Sequence, residues 1–360
     1  MDPTPIISPT QPHVVLIGDS TLDNLIWVDN KVDRCVIGKL RSRKLKVTNF
    51  ACDGFTSSDV LNGNRPMLSA MRWANVGEPF PGCEKEVRVF KPLDELNELL
   101  KKKNPPTHVV LSVGGNDIRE ILRSMHLLKS VIQRYHSNAQ NIFQRLIGKT
   151  KIVLMLQYRP SFYMDADGYG VYQAMRAMGP GSTMLLMNRL MNAVYAPILQ
   201  LCQKNGIPIV DLPRTFDPYK KEYFKCQIEP SEKGSDLIAE MIEHVIRNHR
   251  FDGPSIMYSK NLRSGTSSSS SSSSLIETQI TLSKPWVIDR YNDDDGAKAT
   301  SSSSSSSSSV VSVSPLDHAV QQLMDMGFLE MDVRDALKKS GNLPQRAIEH
   351  LLSSKGGAST

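Results

Sequence analysis

Val14-Val15-Leu16-Ile17-Gly18-Asp19-Ser20-Thr21 decides how this chain is read. Four apolar, mostly β-branched residues suit a strand buried on both faces, as in a parallel sheet covered by helices. Gly18 ends the run, and Ser20 then stands at the strand tip, just before a helix. A hydroxyl in that place is exposed near the positive end of a following helix. Gly-Asp-Ser also caps ordinary helices, so the tripeptide alone decides nothing. The same pattern recurs downstream, however. Lys46-Val47-Thr48-Asn49-Phe50 runs into Ala51-Cys52-Asp53-Gly54, and Val109-Val110-Leu111-Ser112-Val113 runs into Gly114-Gly115-Asn116-Asp117. Residues 151–156 and 207–212 read as two more strands, and helical patterns fill 57–71, 92–103, 117–147, 181–204 and 231–249. Buried strands alternating with amphipathic helices predict an α/β fold with a parallel sheet. In such sheets ligands bind beyond the carboxyl ends of the strands, which is where these polar and Gly-rich stops fall.

The stops can be combined into one site. A tetrahedral oxyanion needs preorganised donors at about 2.7–3.1 Å. The backbone N–H of Ser20, the backbone N–H of Gly54 and the side-chain amide of Asn116 supply three at one sheet edge. Gly54 has no Cβ, so its backbone can approach a ligand closely. Neither GxxxxGK[ST] nor GxGxxG occurs, so phosphate cradling and dinucleotide binding have no motif and no cofactor is expected. In order and strand context, Gly18-Asp19-Ser20, Gly54 and Gly114-Gly115-Asn116-Asp117 resemble the first three blocks of the SGNH (GDSL-type) hydrolases, across residues 13–250. The resemblance implies a flavodoxin-like three-layer sandwich, Ser20 as nucleophile, an oxyanion hole of Ser20, Gly54 and Asn116, and a small ester as substrate.

The last block departs from that pattern. The family has Asp-x-x-His, then Pro, a small residue and a Gly that opens the final helix. Here Pro230, Ser231, Gly234 and the apolar Leu237, Ile238, Met241 and Ile242 fix the register. That register places Cys226 at the Asp position and Glu229 at the His position. Among the other histidines, His13 and His108 precede strands, at the wrong sheet end. His244 lies roughly 20 Å along the last helix. His126 is about three turns past Asn116. His136 and His249 read as satisfied surface residues, and His318 and His350 lie in the C-terminal segment. Glu229 is a weaker base than His, with a reference pKa of about 4.3 against about 6.5, unless burial raises it. The strand-four end, Tyr158-Arg159-Pro160, offers Arg159 as a binding residue and as a structural partner for Glu229. Two readings follow: a weakly active or inactive hydrolase-like domain, and an active serine ester hydrolase with Ser20 and an atypical base. Residues 161–182, with Met164, Met175 and Met178, read either as an adaptable apolar pocket wall or as simple loop packing.

The C-terminal segment has its own grammar. Leu316, Val320, Leu323 and Met324 share a helix face that breaks at Met326-Gly327-Phe328. Asp332 is placed to cap a second helix, with Val333, Ala336 and Leu337 inward, ended by Ser340-Gly341-Asn342. Pro344 opens a third, with Ala347, Ile348, Leu351 and Leu352 inward. Forty residues give a small all-α core. The segment resembles the ubiquitin-associated (UBA) domain. In that family the Met-Gly-Phe loop and the end of the third helix form one apolar patch for ubiquitin. The resemblance therefore implies Met326, Gly327, Phe328, Leu351 and Leu352 as binding residues, with ubiquitin or ubiquitinated proteins as partners.

Between the two lie Ser homopolymers at 267–274 and 301–309. Poly-Ser cannot bury enough apolar surface to offset its ordering entropy. The sequence thus divides into a flexible 1–12, a hydrolase-like 13–254, a Ser-rich disordered linker 255–314, a UBA-like 315–354 and a tail 355–360. Within the linker, residues 275–291 are more apolar, either a docking motif or a sticky disordered stretch. A 40% hydrophobic and 22% charged composition supports packed domains. The net charge of +6 is spread along the chain, without the basic and aromatic interleaving that nucleic-acid binding would need. Five widely spaced cysteines without CxxC favour neither a disulfide framework nor a metal site. The polar N-terminus and the lack of any 18-residue apolar run predict no secretory signal and no membrane span, which places the chain in the cytoplasm or nucleus.

Overall fold

The computed structural model describes residues 11–78, 80, 88–161, 180–260, 275–279, 320, 330–341, 347 and 350–351. Its strands are β1 (His13–Gly18), β2 (Lys46–Asn49), β3 (His108–Ser112), β4 (Lys151–Met155), β5 (Ile209–Val210), β6 (Ile256–Lys260) and β7 (Leu275–Gln279). They form one sheet in the order β2-β1-β3-β4-β5-β6-β7. The first six are parallel, and β7 runs antiparallel to β6. β1 and β3 are buried along their whole length, as their β-branched runs require. Gly18 pairs with Ser112 at the top of that central ladder. A Cβ on Gly18 would lie 1.9 Å from the Ser112 carbonyl oxygen, so only glycine lets the two strand ends close up.

The helices are α1 (Val36–Ser42), α2 (Ser57–Asn62), α3 (Met67–Asn75), α4 (Pro92–Leu100), α5 (Gly115–Arg123), α6 (Leu128–Leu146), α7 (Pro180–Lys204), α8 (Leu212–Thr215) and α9 (Glu232–Asn248). α1 packs on α9, while α2, α5 and α7 pack on α6, which gives the two outer layers of an α/β sandwich. The strand order reverses between β1 and β3, because β1 is followed outward by β2 on one side and β3 lies on the other. That switch point is where open α/β sheets bind ligands.

Several expected elements are adjusted. The helix expected over 57–71 is two helices, α2 and α3, because the chain turns at Gly63 to Pro66. That over 117–147 is α5 and α6, separated by a short 3-10 turn, Met125–Leu127. The sheet also continues past residue 254, where the sequence pattern ended the domain. β6 buries Met257 and Tyr258 beside β5, and its buried Lys260 is neutralised by Glu240, with Nζ 2.7 Å from the carboxylate. Leu275–Gln279, expected within the linker, adds a strand to the sheet edge, while the rest of the 275–291 stretch lies outside the described residues.

In the C-terminal segment, α10 (Glu330–Lys339) buries Val333, Ala336 and Leu337, as their spacing predicts. Asp332 is not its cap but lies in its first turn, because the helix starts at Glu330. Val320, Ala347 and Leu351 are buried too. Leu351 therefore belongs to the small core rather than to an open ubiquitin-facing surface. Met326, Gly327, Phe328 and Leu352 lie outside the described residues, as do the 162–179 part of the Met-rich loop and the Ser homopolymers.

Candidate active site

The site is built from the turns that follow β1, β2 and β3, closed by the loop before α9. Hydrogen bonds lock each turn to the next. Asp117, in the first turn of α5, accepts from Ser57 N at 2.9 Å and from Ser57 Oγ at 2.7 Å, which fixes the loop after β2 against the loop after β3. Asn116 Nδ2 donates to the Phe55 carbonyl at 3.0 Å, one residue beyond Gly54. The Asp53-Gly54 turn is held from the other side. Asp53 N donates to Asp23 Oδ2 and to Ser69 Oγ, and the Asp53 carboxylate pairs with Arg72 of α3. Gly54 has a φ of +86°, the left-handed region that suits glycine. Among the described residues, the N–H groups of Ser20 and Gly54 have no acceptor.

Asp19 and Thr21 flank the Ser20 hydroxyl, and both are buried and bonded to Gln157 at the end of β4. Gln157 Nε2 donates to Asp19 Oδ2 and to Ser112 Oγ, each at 2.8 Å, and Gln157 Oε1 accepts from Thr21 Oγ1 at 2.8 Å. Burial raises the Asp19 carboxyl to about 7. This closed network anchors the nucleophile turn to β3 and β4. Gln157 was not picked out from the sequence. It follows strand four at the ligand edge, and that position was the available signal.

Glu229 arrives from the last loop. Asn24 ties the start of α9 to the β1 turn, donating to Ser235 Oγ at 2.7 Å, and the Tyr158 hydroxyl donates to the Ile228 carbonyl of the loop at 2.7 Å. Ser231 caps α9 through Gly234 N. The outcome is a contact between residues 209 apart in sequence: Ser20 Oγ donates to Glu229 Oε1 at 3.1 Å. Glu229 is 4% exposed, and its Oε2 has no hydrogen-bond partner. Burial, reinforced by the negative charge of Asp53, pushes its carboxyl well above the usual range. A serine hydroxyl beside a buried carboxylate of raised pKa is the arrangement of a nucleophile with an adjacent base.

Arg159 does not pair with Glu229. Its guanidinium turns away to donate to the Pro213 carbonyl at 2.7 Å, and its charge acts on Asp211. A weaker, opposing influence on Glu229 comes from the Arg119 guanidinium, on α5. Arg119 stands three residues after Asn116, hence on the same helix face, a spacing the sequence displayed. Cys226, at the Asp position, is a buried thiol outside any disulfide. No histidine lines the site among the described residues. His13 and His108 are buried at the far strand ends, where burial lowers each to about 4. Nor do the described residues contain a cluster of side chains suited to a metal ion.

Ser20, Asn116, Arg119 and Glu229 share a pocket of about 60 Å³. Its remaining walls are mainly apolar and include Leu122, Met187 and Met191.

Comparison with known proteins accords with this architecture. A family model described as GDSL-like Lipase/Acylhydrolase matches residues 14–242, and one described as UBA/TS-N domain matches residues 317–351. Among solved structures, a member of the lipolytic protein G-D-S-L family from Veillonella parvula is similar at 15% identity. Its TM-score is 0.37, over 66% of this chain and 98% of that one. A carbohydrate acetylesterase family member from Sinorhizobium meliloti is similar at 12% identity, with a TM-score of 0.40 over 66% of this chain and 98% of that one. An acetyl xylan esterase from Geobacillus stearothermophilus is similar at 13% identity, with a TM-score of 0.39 over 66% of this chain and 95% of that one. No curated protein matches the chain in sequence.

Proposed function

The chain belongs to the GDSL-like lipase/acylhydrolase family and carries a C-terminal UBA domain, and from that premise we propose a slow serine ester hydrolase that binds ubiquitin. One observation carries the catalytic half: the 3.1 Å hydrogen bond from Ser20 Oγ to Glu229 Oε1. Glu229 takes the Ser20 proton as Oγ attacks the ester carbonyl. The N–H groups of Ser20 and Gly54 and the amide of Asn116 receive the oxyanion. As the tetrahedral centre collapses, the proton passes to the departing alcohol and an acyl-Ser20 remains. Water then loses a proton to Glu229, attacks the acyl carbon and releases the acid, and Ser20 Oγ regains its proton. The pocket has room for about four water-sized groups, at roughly 15 Å³ each, which suits a short acyl chain. Turnover is slow because a carboxylate is a weaker base than imidazole, although burial narrows the gap. A second reading, a binding pocket without turnover, is favoured by Cys226 standing where the family has its orienting carboxylate.

The UBA domain supports recruitment to ubiquitin or ubiquitinated proteins. A fluorophosphonate probe tests the catalytic proposal directly, since it reacts with activated serine hydroxyls. Labelling of the full chain that disappears in Ser20→Ala and weakens in Glu229→Gln is the expected result. An unlabelled but folded protein would leave only the binding pocket.

A further inference from the structure

We infer that Asp23 is a positioning residue for the oxyanion hole: its backbone N–H and its carboxylate together set the spacing of the two backbone donors, Ser20 and Gly54. This role belongs to the hydrolase reading, since Asp23 aligns the donors on which that reading depends. Asp23 closes the turn after β1, and its N–H donates to the Asp19 carbonyl at 3.0 Å, beside that of Leu22 at 3.1 Å. The Asp19 carbonyl and the Ser20 N–H belong to one planar trans peptide, so they point in opposite directions. Holding the first therefore aims the second. The Asp23 carboxylate does the same for the turn after β2. Its Oδ2 accepts from Asp53 N at 3.1 Å, one residue before Gly54. Asp53 and Gly54 are the central pair of a turn closed by Phe55 N on the Cys52 carbonyl at 3.1 Å, so a hold on Asp53 is a hold on the Gly54 N–H.

The carboxylate is held through both oxygens. Oδ1 accepts from Trp73 Nε1 at 2.7 Å and from Asn49 Nδ2 at 3.5 Å, and the Ser69 side chain adds a further hydrogen bond. Ser69 Oγ also accepts from Asp53 N at 3.1 Å, so α3 grips the same turn directly. Asp23 and Trp73 are each 3% exposed. Burying a carboxylate opposes folding, and α3 could cover this turn with apolar side chains alone. Apolar contact lacks direction, however. Hydrogen bonds from the end of β2, from the Asp53 turn and from α3 fix the carboxylate along separate lines. Donors that meet a developing charge must be held to within about 0.5 Å, which such bonds can do. Buried among these partners, Asp23 acts through the two donors and not on the substrate.

The test compares para-nitrophenyl acetate with O-para-nitrophenyl thionoacetate on the full chain. Sulfur is a weak hydrogen-bond acceptor, so the thiono ester draws little help from an oxyanion hole. Asp23→Asn keeps the shape but turns an amide N–H toward at least one of the donors that Asp23 now accepts from. Trp73→Phe removes one hydrogen bond and keeps an aromatic ring in place. Asp23→Asn is expected to lower kcat for the oxygen ester by about 10–100-fold with little change in KM, less than the loss of about 10²–10³ when a donor is removed outright. The thiono ester is expected to lose much less, so the ratio of the two rates falls. Trp73→Phe is expected to move the ratio the same way by a smaller factor, whereas Glu229→Gln, which acts on proton transfer, is expected to slow both esters alike. An unchanged ratio in Asp23→Asn overturns the proposal. So does an equal loss on both esters, which would make Asp23 a support of the fold or of the Ser20–Glu229 pair. Amide hydrogen exchange over residues 52–56 reads the same hold without turnover, and Asp23→Asn is expected to quicken it. If Ser20 resists fluorophosphonate but exchange quickens, the hydrolase reading fails and the hold of Asp23 on the Gly54 turn stands. If Ser20 is labelled but neither the ratio nor the exchange changes, the hydrolase reading stands and the role of Asp23 fails.

Discussion

At Glu229 the chain puts a carboxylate where its family has an imidazole, and burial acts oppositely on the two. It lowers a histidine, as at His13 and His108, but raises a carboxyl, so Glu229 is a stronger base than an exposed glutamate. A base works only when deprotonated, so kcat/KM should climb with pH through the raised pKa of Glu229 and then level off. Ser20→Ala and Glu229→Gln should each lower it by about 10²–10⁴-fold. Stability runs the other way. A carboxyl whose folded pKa is raised favours the fold fully below its unfolded pKa, and that contribution fades as pH rises through the folded value. Glu229→Gln removes the dependence without a gross change of shape, so its Tm should gain on the parent as pH rises above the ordinary carboxyl range. A Tm difference that does not move with pH would contradict the desolvated carboxylate. The Arg159 pairing expected from sequence would have made the substitution destabilising, by stranding a charge. The register of Pro230, Ser231 and Gly234 was enough to find Glu229. It could not reveal the direction of Arg159, whose side chain takes the Pro213 carbonyl only once the loop is folded.

The elements were legible to different degrees, for physical reasons. β1 and β3 are continuous buried runs, and such runs announce themselves. β6 and β7 were not recognised as strands. Each is short, each mixes Ser, Lys, Glu, Thr or Gln into the run, and together they flank a Ser homopolymer whose composition dominates the region. In β6 the polar Lys260 is accommodated by a partner invisible in sequence, Glu240. The end of β4 is more instructive, because Gln157 there links three strand tips through one amide. Gln157→Leu would leave Asp19, Thr21 and Ser112 without their shared partner in a buried setting, at about 1–3 kcal/mol for each group stranded. The expected outcome is a lower kcat with a smaller change in KM, because the nucleophile turn loosens while the pocket walls stay. Gln157→Glu keeps the shape and should recover part of kcat at low pH, where its carboxyl can still donate. Equal kcat in all three proteins would show that the network only fills space.

Across the whole molecule, two dissimilar parts share one chain: a hydrolase-like sandwich and a UBA domain. Local pattern was sufficient to tell them apart, since strand-turn repeats and a short three-helix pattern are each self-contained. What local pattern could not supply is anything that depends on distant residues meeting, such as Ser20 and Glu229, or β7 returning to the sheet. Ubiquitin binding is a property of local pattern, so it is the whole-molecule expectation most open to direct test. A small apolar patch buries little area, and the cost of association leaves a Kd of about 10⁻⁵–10⁻³ M. Titration of the full chain with ubiquitin should therefore show weak binding, and Met326→Ala should reduce it several-fold by removing an anchor. Leu351 calls for a different expectation. It is buried in the C-terminal core, so Leu351→Ala should act first on stability, by about 2–5 kcal/mol for a buried leucine. Its loss of binding should follow unfolding of the domain rather than precede it. If Leu351→Ala abolished binding with the domain still folded, the patch would have to include a residue this structure places inside. If Met326→Ala left binding intact, the Met-Gly-Phe loop would not be the anchor, and the ubiquitin contact would have to lie elsewhere on the small domain.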